Sequence, residues 1–280
     1  MTRHLLTLPS GDEIAYWTHH DDEKPVLILV HGFTGSHEGF QYLVPLLTDF
    51  HLIIPDLPGF GISPLPDEKL NLVGLGELLA EFIDALQLPE PPHLLGHSMG
   101  SLVVAEAVRR RPDIAAQKLI LVSPVPAPVG IADARRGGAM LSQLYYAISH
   151  RLPHVGAKLA TSRRLTRLST TVIMTTSDKE LQAAIHNHHF DNLDHISSIG
   201  WYRRLYRQIN RTGISRYRVA LQRFDLLIIN GNKDSVTPLK RQKKVAKLLG
   251  AKLMIIPNVG HLSHYEMPER LAQGIKNFLQ

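Results

Sequence analysis

The sequence contains no cysteine, and this absence excludes disulfide bonds and thiolate metal sites. No apolar run approaches the roughly 20 residues of a membrane-spanning helix. Residues 1–13 lack the apolar core of a secretory signal. The chain also carries no recognised nucleic-acid-binding motif. From these absences we expect a cytoplasmic protein with no transmembrane segment and no nucleic-acid partner.

The amino-acid composition is ordinary for a globular protein: of the 280 residues, 44% are apolar and 20% are charged. The net charge of +6 is unevenly distributed. Residues 125–223 hold 15 Lys and Arg against 5 Asp and Glu, a net +10, whereas the rest holds 16 against 20, a net −4. This basic segment predicts an anionic partner.

Short apolar runs alternate with helix-like segments along the chain. After a β-hairpin around Gly11, buried strands are indicated at residues 26–30, 52–54, 92–95, 119–122, 226–229 and 253–256. Helices are predicted over residues 40–47, 72–86 and 268–279, and after Thr237 as an N-cap. This alternation predicts a mostly parallel sheet with helices on both faces. Residues 129–223 lack such strands, so we expect them to form a helical insertion.

Residues 96–100, Gly-His-Ser-Met-Gly, have the pattern of a nucleophile elbow, a sharp turn between a strand and a helix. Ser98 stands at its apex. Gly96 and Gly100 are required because a side chain at either position would collide across so tight a turn. The pattern predicts Ser98 as a nucleophile, although a plain strand-to-helix turn gives the same short motif.

A serine nucleophile needs a base to take its proton and a carboxylate to orient that base. In a mostly parallel sheet, these groups gather at the carboxyl ends of strands. Asp234 and His261 follow the last two strands, whereas Asp225 lies at the wrong end of its strand. His264 competes with His261 but lies further from the strand end. We therefore predict a catalytic triad of Ser98, Asp234 and His261, and loss of activity at low pH when the base is protonated.

The developing oxyanion needs hydrogen-bond donors. One is the backbone N–H after the nucleophile, which belongs to Met99, and the other is expected in the loop after the strand at 26–30. We predict the Phe33 N–H as the second donor, with Gly32 allowing the backbone to approach. His31 and His97 flank these donors, and we assign them positioning roles.

Five stretches of the chain together resemble the α/β-hydrolase superfamily. They are residues 31–33, 56–61, 96–100, 231–234 and 260–261. The resemblance implies an eight-stranded sheet with a helical cap inserted after the sixth strand. It implies a core of residues 1–124 and 225–280 and an Arg-rich cap of residues 125–224. Similar haloalkane dehalogenases and epoxide hydrolases carry Asp at the elbow, where this chain carries Ser98.

The resemblance and the predicted triad imply a serine hydrolase of the carboxylesterase type. It would cleave a carboxylic ester or thioester through an acyl-enzyme intermediate, with no cofactor and no metal. A C–C bond hydrolase, an amidase, a cofactor-free peroxidase and a lipase remain alternatives on the same fold. A ligand-binding receptor that keeps the triad is an alternative of a different class, which multiple turnover of an ester would exclude.

The clearest helix of the basic segment spans residues 201–211, with Trp201, Leu205 and Ile209 on one side and arginines on the other. We expect the apolar side to line the acyl pocket. Further arginines of the segment are Arg135, Arg136, Arg163, Arg164, Arg167, Arg216 and Arg218. The positive charge of these arginines would suit one of three anionic partners: an acidic acyl carrier protein, a coenzyme A ester or an anionic lipid.

A histidine-rich stretch around residues 186–195 has spacing that metal ligands could use. The predicted chemistry needs no metal, and 16 histidines in the chain make chance clusters common. Ser177 to Glu180 has the form of a capping box, so an ordinary helix is predicted here.

Overall fold

One sheet organises the fold, and its strands are β1 (Thr2–Thr7), β2 (Glu13–His19), β3 (Val26–Val30), β4 (His51–Pro55), β5 (His93–His97), β6 (Lys118–Val122), β7 (Asp225–Gly231) and β8 (Lys252–Ile256). The computed structural model describes residues 1–20, 23–128 and 162–280. The eight strands lie in the order β1-β2-β4-β3-β5-β6-β7-β8. The β1–β2 and β2–β4 pairs are antiparallel, and all the other pairs are parallel. The predicted eight-stranded, mostly parallel sheet is therefore confirmed.

The central strands are buried on both faces, as their unbroken apolar runs predict. β5 lies between β3 and β6, with Val30 opposite Gly96 and His97 opposite Val122. These pairings align the carboxyl ends of three neighbouring strands. The loops that follow these three strands therefore lie together at one edge of the sheet.

Helices cover both faces of the sheet, and those described are α1 (Leu72–Ala85), α2 (Met99–Arg110), α3 (Arg163–Ile173), α4 (Lys179–Asp194), α5 (Ile199–Asn210), α6 (Arg218–Leu221), α7 (Leu239–Leu249), α8 (Ser263–Glu266) and α9 (Pro268–Leu279). α1, α2 and α7 pack in the core on one face, and α9 packs in the core on the other. Asn71 begins α1, because its side chain accepts hydrogen bonds from the N–H groups of Val73 and Gly74. The helices on both faces agree with the prediction.

The helices α3 to α6 lie between β6 and β7, where the sequence predicts an insertion. α5 is the predicted amphipathic helix, and its apolar side is buried: Trp201 is 0% exposed and its Nε1 donates to the Leu70 carbonyl at 2.8 Å. Leu205 and Ile209 are buried beside it. The apolar side of α5 is therefore packed against the core. Arg135 and Arg136 lie outside the described residues.

Two local predictions are wrong. Residues 40–47 do not form an α-helix, because Pro45 cannot donate to an extended helical ladder. Two short 3₁₀ turns, His37–Phe40 and Val44–Leu46, cover part of this range instead. Thr237 is not the N-cap of α7, which Pro238 provides. Thr237 instead donates its hydroxyl proton to Asp234 at 2.7 Å. The predicted capping box at residues 177–180 is refined, because the side chain that caps α4 is that of Asp178.

Candidate active site

Ser98 occupies a strained position between the end of β5 and the start of α2. Its φ of 51° and ψ of −115° lie in a region that non-glycine residues rarely adopt. A Cβ at Gly96 would lie 2.6 Å from the carbonyl oxygen of Gly100, and one at Gly100 would lie 2.6 Å from that of His31. Both glycines are thus required by close backbone approach, as the elbow pattern predicts.

The structure brings the three residues of the predicted triad into one hydrogen-bonded chain. Ser98 Oγ lies 3.0 Å from His261 Nε2, and His261 Nδ1 lies 2.9 Å from Asp234 Oδ2. The three residues come from the ends of β5, β7 and β8, far apart in the sequence. Asp234 and His261 are both buried. This arrangement lets the imidazole take the serine proton while the carboxylate holds it in position.

Asp234 is fixed by more than its histidine partner. Its Oδ1 accepts from the N–H groups of Val236 and Thr237, both at 2.8 Å, and its Oδ2 accepts from the Thr237 hydroxyl. Burial opposes ionisation of this carboxyl group, but the His261 imidazole and the hydrogen bonds outweigh it and lower the pKa of Asp234 to about 2. Asp234 is therefore a carboxylate at neutral pH.

His97 contacts the backbone of the proposed base. Its Nε2 lies 3.2 Å from the carbonyl oxygen of His261. Burial and the nearby His261 imidazole lower the pKa of His97 to about 3, so the ring is neutral and its Nε2–H is the donor. The positioning role predicted for His97 rests on its place inside the elbow, and nothing in the sequence indicates its contact with the His261 carbonyl.

His264, the competing base, is buried within α8. Its ring centroid lies 4.2 Å from that of His97 and 4.6 Å from that of Tyr265. Burial holds its pKa well below the ordinary value. Among the described residues, none forms a hydrogen bond with its Nδ1. His264 thus packs behind the hydrogen-bonded chain instead of belonging to it.

The two predicted oxyanion donors belong to residues near Ser98. Met99 is the first residue of α2, and Phe33 lines the same cavity as Ser98. A Cβ at Gly32 would lie 3.0 Å from His97 Nδ1 and 3.2 Å from the Ser98 Cβ, so the close approach of this loop favours glycine. Within the described part of the chain, no group accepts a hydrogen bond from either amide. Among the described residues neither N–H group is thus committed to a partner, and their role as oxyanion donors stays a prediction.

The cavity beside Ser98 has a volume of about 70 Å³ and is rich in imidazoles. Its histidines are His31, His97, His189, His261 and His264. His189 belongs to α4, so the inserted helices contribute to the wall. Its Nδ1 donates to the Ile185 carbonyl at 2.8 Å, and burial lowers its pKa to about 4.

The histidine-rich stretch thus forms part of a helix, as predicted. In the described residues, no group of three or more histidines and carboxylates is placed to hold a metal ion.

Comparison with known proteins identifies the family of the chain. The model of the alpha/beta hydrolase family matches residues 27–274. The chain belongs to the α/β-hydrolase family. Lipase 1 of Psychrobacter immobilis is 25% identical over 290 residues, covering 98% of this chain and 82% of that protein. Lipase 3 of Moraxella sp. is 36% identical over 99 residues, a match that covers 35% of this chain and only 31% of that protein.

Solved structures of other α/β-hydrolases share the fold. A thermophilic esterase from Thermogutta terrifontis superposes with a TM-score of 0.79 at 21% identity, covering 100% of this chain and 98% of that one. A haloalkane dehalogenase from Bradyrhizobium elkanii superposes with a TM-score of 0.81 at 18% identity, covering 99% and 96%. At these identities the likeness concerns the fold alone.

No helix in the described ranges is both long enough and apolar enough to span a membrane. The cytoplasmic location stays a prediction.

Proposed function

We propose that this α/β-hydrolase is a serine hydrolase that cleaves a carboxylic ester or thioester through an acyl-enzyme intermediate. The observation that carries the proposal is the chain of hydrogen bonds from Ser98 through His261 to Asp234, at 3.0 Å and 2.9 Å, on a strained elbow. The names of the relatives, two lipases and an esterase, support the ester class.

In the proposed reaction, His261 takes the Ser98 proton as the hydroxyl oxygen attacks the substrate carbonyl carbon. The Phe33 and Met99 amides stabilise the oxyanion of the tetrahedral intermediate. His261 then protonates the leaving alcohol or thiol, leaving an acyl group on Ser98. A water molecule that gives its proton to His261 attacks this acyl group and releases the acid. Asp234 stabilises the imidazolium that forms in each step.

Substrate choice is proposed to lie with the residues between β6 and β7. α5 supports this, because the rings of Tyr202 and Tyr206 lie 4.2 Å and 5.4 Å from that of Phe33, a proposed oxyanion residue. The position of α4 supports the same proposal, because its residue His189 lines the cavity beside Ser98. The division into a core of residues 1–124 and 225–280 and a cap of residues 125–224 belongs to the same proposal.

The test is replacement of Ser98 by alanine, with p-nitrophenyl esters of increasing acyl length and the matching thioesters as substrates. We expect hydrolysis to fall to the uncatalysed rate while the circular dichroism spectrum is unchanged. An organophosphorus ester should label Ser98 stoichiometrically, as read by peptide mass spectrometry. Ser10→Ala, at an exposed turn, is the matched control and should retain both activity and labelling. Turnover retained in Ser98→Ala would refute the proposal.

A lipase is the second candidate, because two curated relatives carry that name. A sharp rise in turnover when a triglyceride passes from solution into an emulsion would support it. A strict preference for dissolved short esters would exclude it. A single turnover per protein molecule would instead favour the receptor alternative.

A further inference from the structure

A second cavity among the described residues lies away from Ser98. It is an open groove of about 640 Å³, compared with about 70 Å³ beside Ser98, and the two share no lining residue. The groove lies where the start of α1, the end of α2 and the end of α5 meet the turn before α6. Its size is within the range of small-molecule sites.

The groove has an excess of positive charge. Arg109, Arg211 and Arg216 line it, and Glu106 is its one carboxylate among the described residues. Glu106 is buried and holds Arg109 at the wall through hydrogen bonds of 3.2 Å to Nε and 2.5 Å to Nη2. Arg211 and Arg216 are exposed, and neither forms an ion pair with any described residue. The excess of two positive charges is therefore available to a ligand.

The neutral side chains of the groove also present donors. Asn71 Oδ1 accepts from the N–H groups of Val73 and Gly74, and Gln208 Oε1 accepts from the Leu72 N–H at 2.9 Å. These bonds occupy the amide oxygens and leave the NH₂ groups of Asn71 and Gln208 as donors. Guanidinium and amide donors around one space favour an anion, and an anion of more than one charge matches the excess best.

The sequence around the groove also carries an excess of positive charge. Residues 195–224 contain seven arginines and no aspartate or glutamate. The apolar wall of the groove comes from Leu72 and Val73, the latter 39% exposed. A ligand with an apolar part beside a strongly charged group would contact both kinds of surface.

We propose that this groove binds a phosphate monoester, with Arg211 and Arg216 holding the phosphate. A phosphate monoester carries a charge of about −1.5 to −2 at neutral pH, which matches the groove better than a carboxylate does. The phosphate belongs either to a dissolved small molecule or to a lipid headgroup. This site is separate from Ser98 and does not depend on the proposed ester hydrolysis.

The probe is phenyl phosphate, titrated calorimetrically at fixed ionic strength, with phenyl sulfate as the singly charged analogue of similar shape. We expect one site that prefers phenyl phosphate. The double variant Arg211→Gln/Arg216→Gln should weaken binding by at least about tenfold, the effect of losing two charge-assisted hydrogen bonds. The control Arg218→Gln/Arg223→Gln removes the same charge from exposed positions outside the groove and should change binding less than twofold.

A second arm uses vesicles of phosphatidylcholine with and without phosphatidic acid. Binding of phenyl phosphate that needs Arg211 and Arg216 supports the site and favours a dissolved ligand. Flotation with phosphatidic acid that needs the same two arginines, without phenyl phosphate binding, supports it with a lipid ligand. The proposal would be overturned if both double variants weakened ligand binding equally. It would also be overturned if the protein bound neither phenyl phosphate nor the vesicles with phosphatidic acid. Unchanged thermal unfolding of both variants shows that they are folded.

Discussion

Replacing Asp234 by asparagine tests the hydrogen-bonded chain at its buried end. Four donors converge on this carboxylate: the N–H groups of Val236 and Thr237 on Oδ1, and His261 Nδ1 and the Thr237 hydroxyl on Oδ2. An asparagine side chain offers only one oxygen. In either orientation, its NH₂ group faces two donors.

The consequence for activity follows from the histidine tautomer. With the asparagine oxygen toward the backbone N–H groups, His261 Nδ1 must accept from the new NH₂ group, and its proton moves to Nε2. That nitrogen then carries a hydrogen toward Ser98 Oγ and cannot take the serine proton. We expect kcat to fall by about 10,000-fold, the loss seen when a triad carboxylate is made an amide. Hydrolysis of a p-nitrophenyl ester at pH 7 measures it.

The consequence for stability follows from the pKa of Asp234. Its fall from 3.8 to about 2 on folding corresponds to about 2 kcal/mol of stabilisation at neutral pH. Because the folded-state pKa is depressed, this contribution is fully present above pH 4 and is lost as the pH falls towards 2. Urea unfolding of the two proteins should therefore differ by about 2 kcal/mol at pH 6 and by less at pH 3.

The matched control is Asp225→Asn, the same change at the opposite, exposed end of β7. It should leave kcat within twofold of the unaltered protein and the unfolding free energy within about 0.5 kcal/mol. If Asp234→Asn retains a tenth or more of kcat, the tautomer argument is wrong. If its stability deficit does not shrink with falling pH, the stabilisation of the carboxylate is misassigned.

The remaining predictions concern the neighbours of Ser98. Gly100→Ala would bring a Cβ to 2.6 Å from the His31 carbonyl oxygen and closer still to that of Val30, so the unfolding free energy should fall by about 3 kcal/mol or more in a urea titration. Gly200→Ala, where the Cβ would meet nothing nearer than 3.4 Å, is its control and should not destabilise. His97→Phe removes the donor to the His261 carbonyl, a loss of about 1–3 kcal/mol at a buried group. We expect His97→Phe to lower kcat about tenfold with little change in KM, and we expect His97→Gln to retain part of the lost kcat. Equal effects on KM and kcat in both variants would contradict a positioning role.

The fold and the three central residues are predictable because their signals are local. Buried parallel strands appear as apolar runs, and Ser98, Asp234 and His261 each stand in the loop or turn that follows one of them. The known geometry of a parallel sheet then brings those ends together without any knowledge of side-chain packing. The five motif stretches resemble the family that the comparison identifies.

The supporting contacts are not predictable in this way, because they join residues with no local pattern between them. The contact of His97 with the His261 carbonyl spans 164 positions. The sequence around Thr237 is typical of an N-cap, but its hydroxyl donates to the buried carboxylate of Asp234. Leaving a buried carboxylate without donors costs more free energy than leaving a helix N-terminus without a side-chain cap. In both cases tertiary burial decides the partner, and burial is not readable from the residue and its neighbours.

The contacts of α5 connect the helices proposed to select the substrate with the proposed oxyanion donor. Tyr202 and Tyr206 pack on Phe33, and Trp201 packs on Phe60, which also contacts the Phe33 ring. The backbone amide of Phe33 is the proposed oxyanion donor, so a shift of α5 would move that donor and the pocket wall together. At its other end the same helix carries Gln208 and is followed by Arg211, in the groove proposed to bind phosphate. A ligand held there would contact the end of the same helix that packs on the Phe33 ring, so we expect its effect on catalysis to appear in kcat as well as KM.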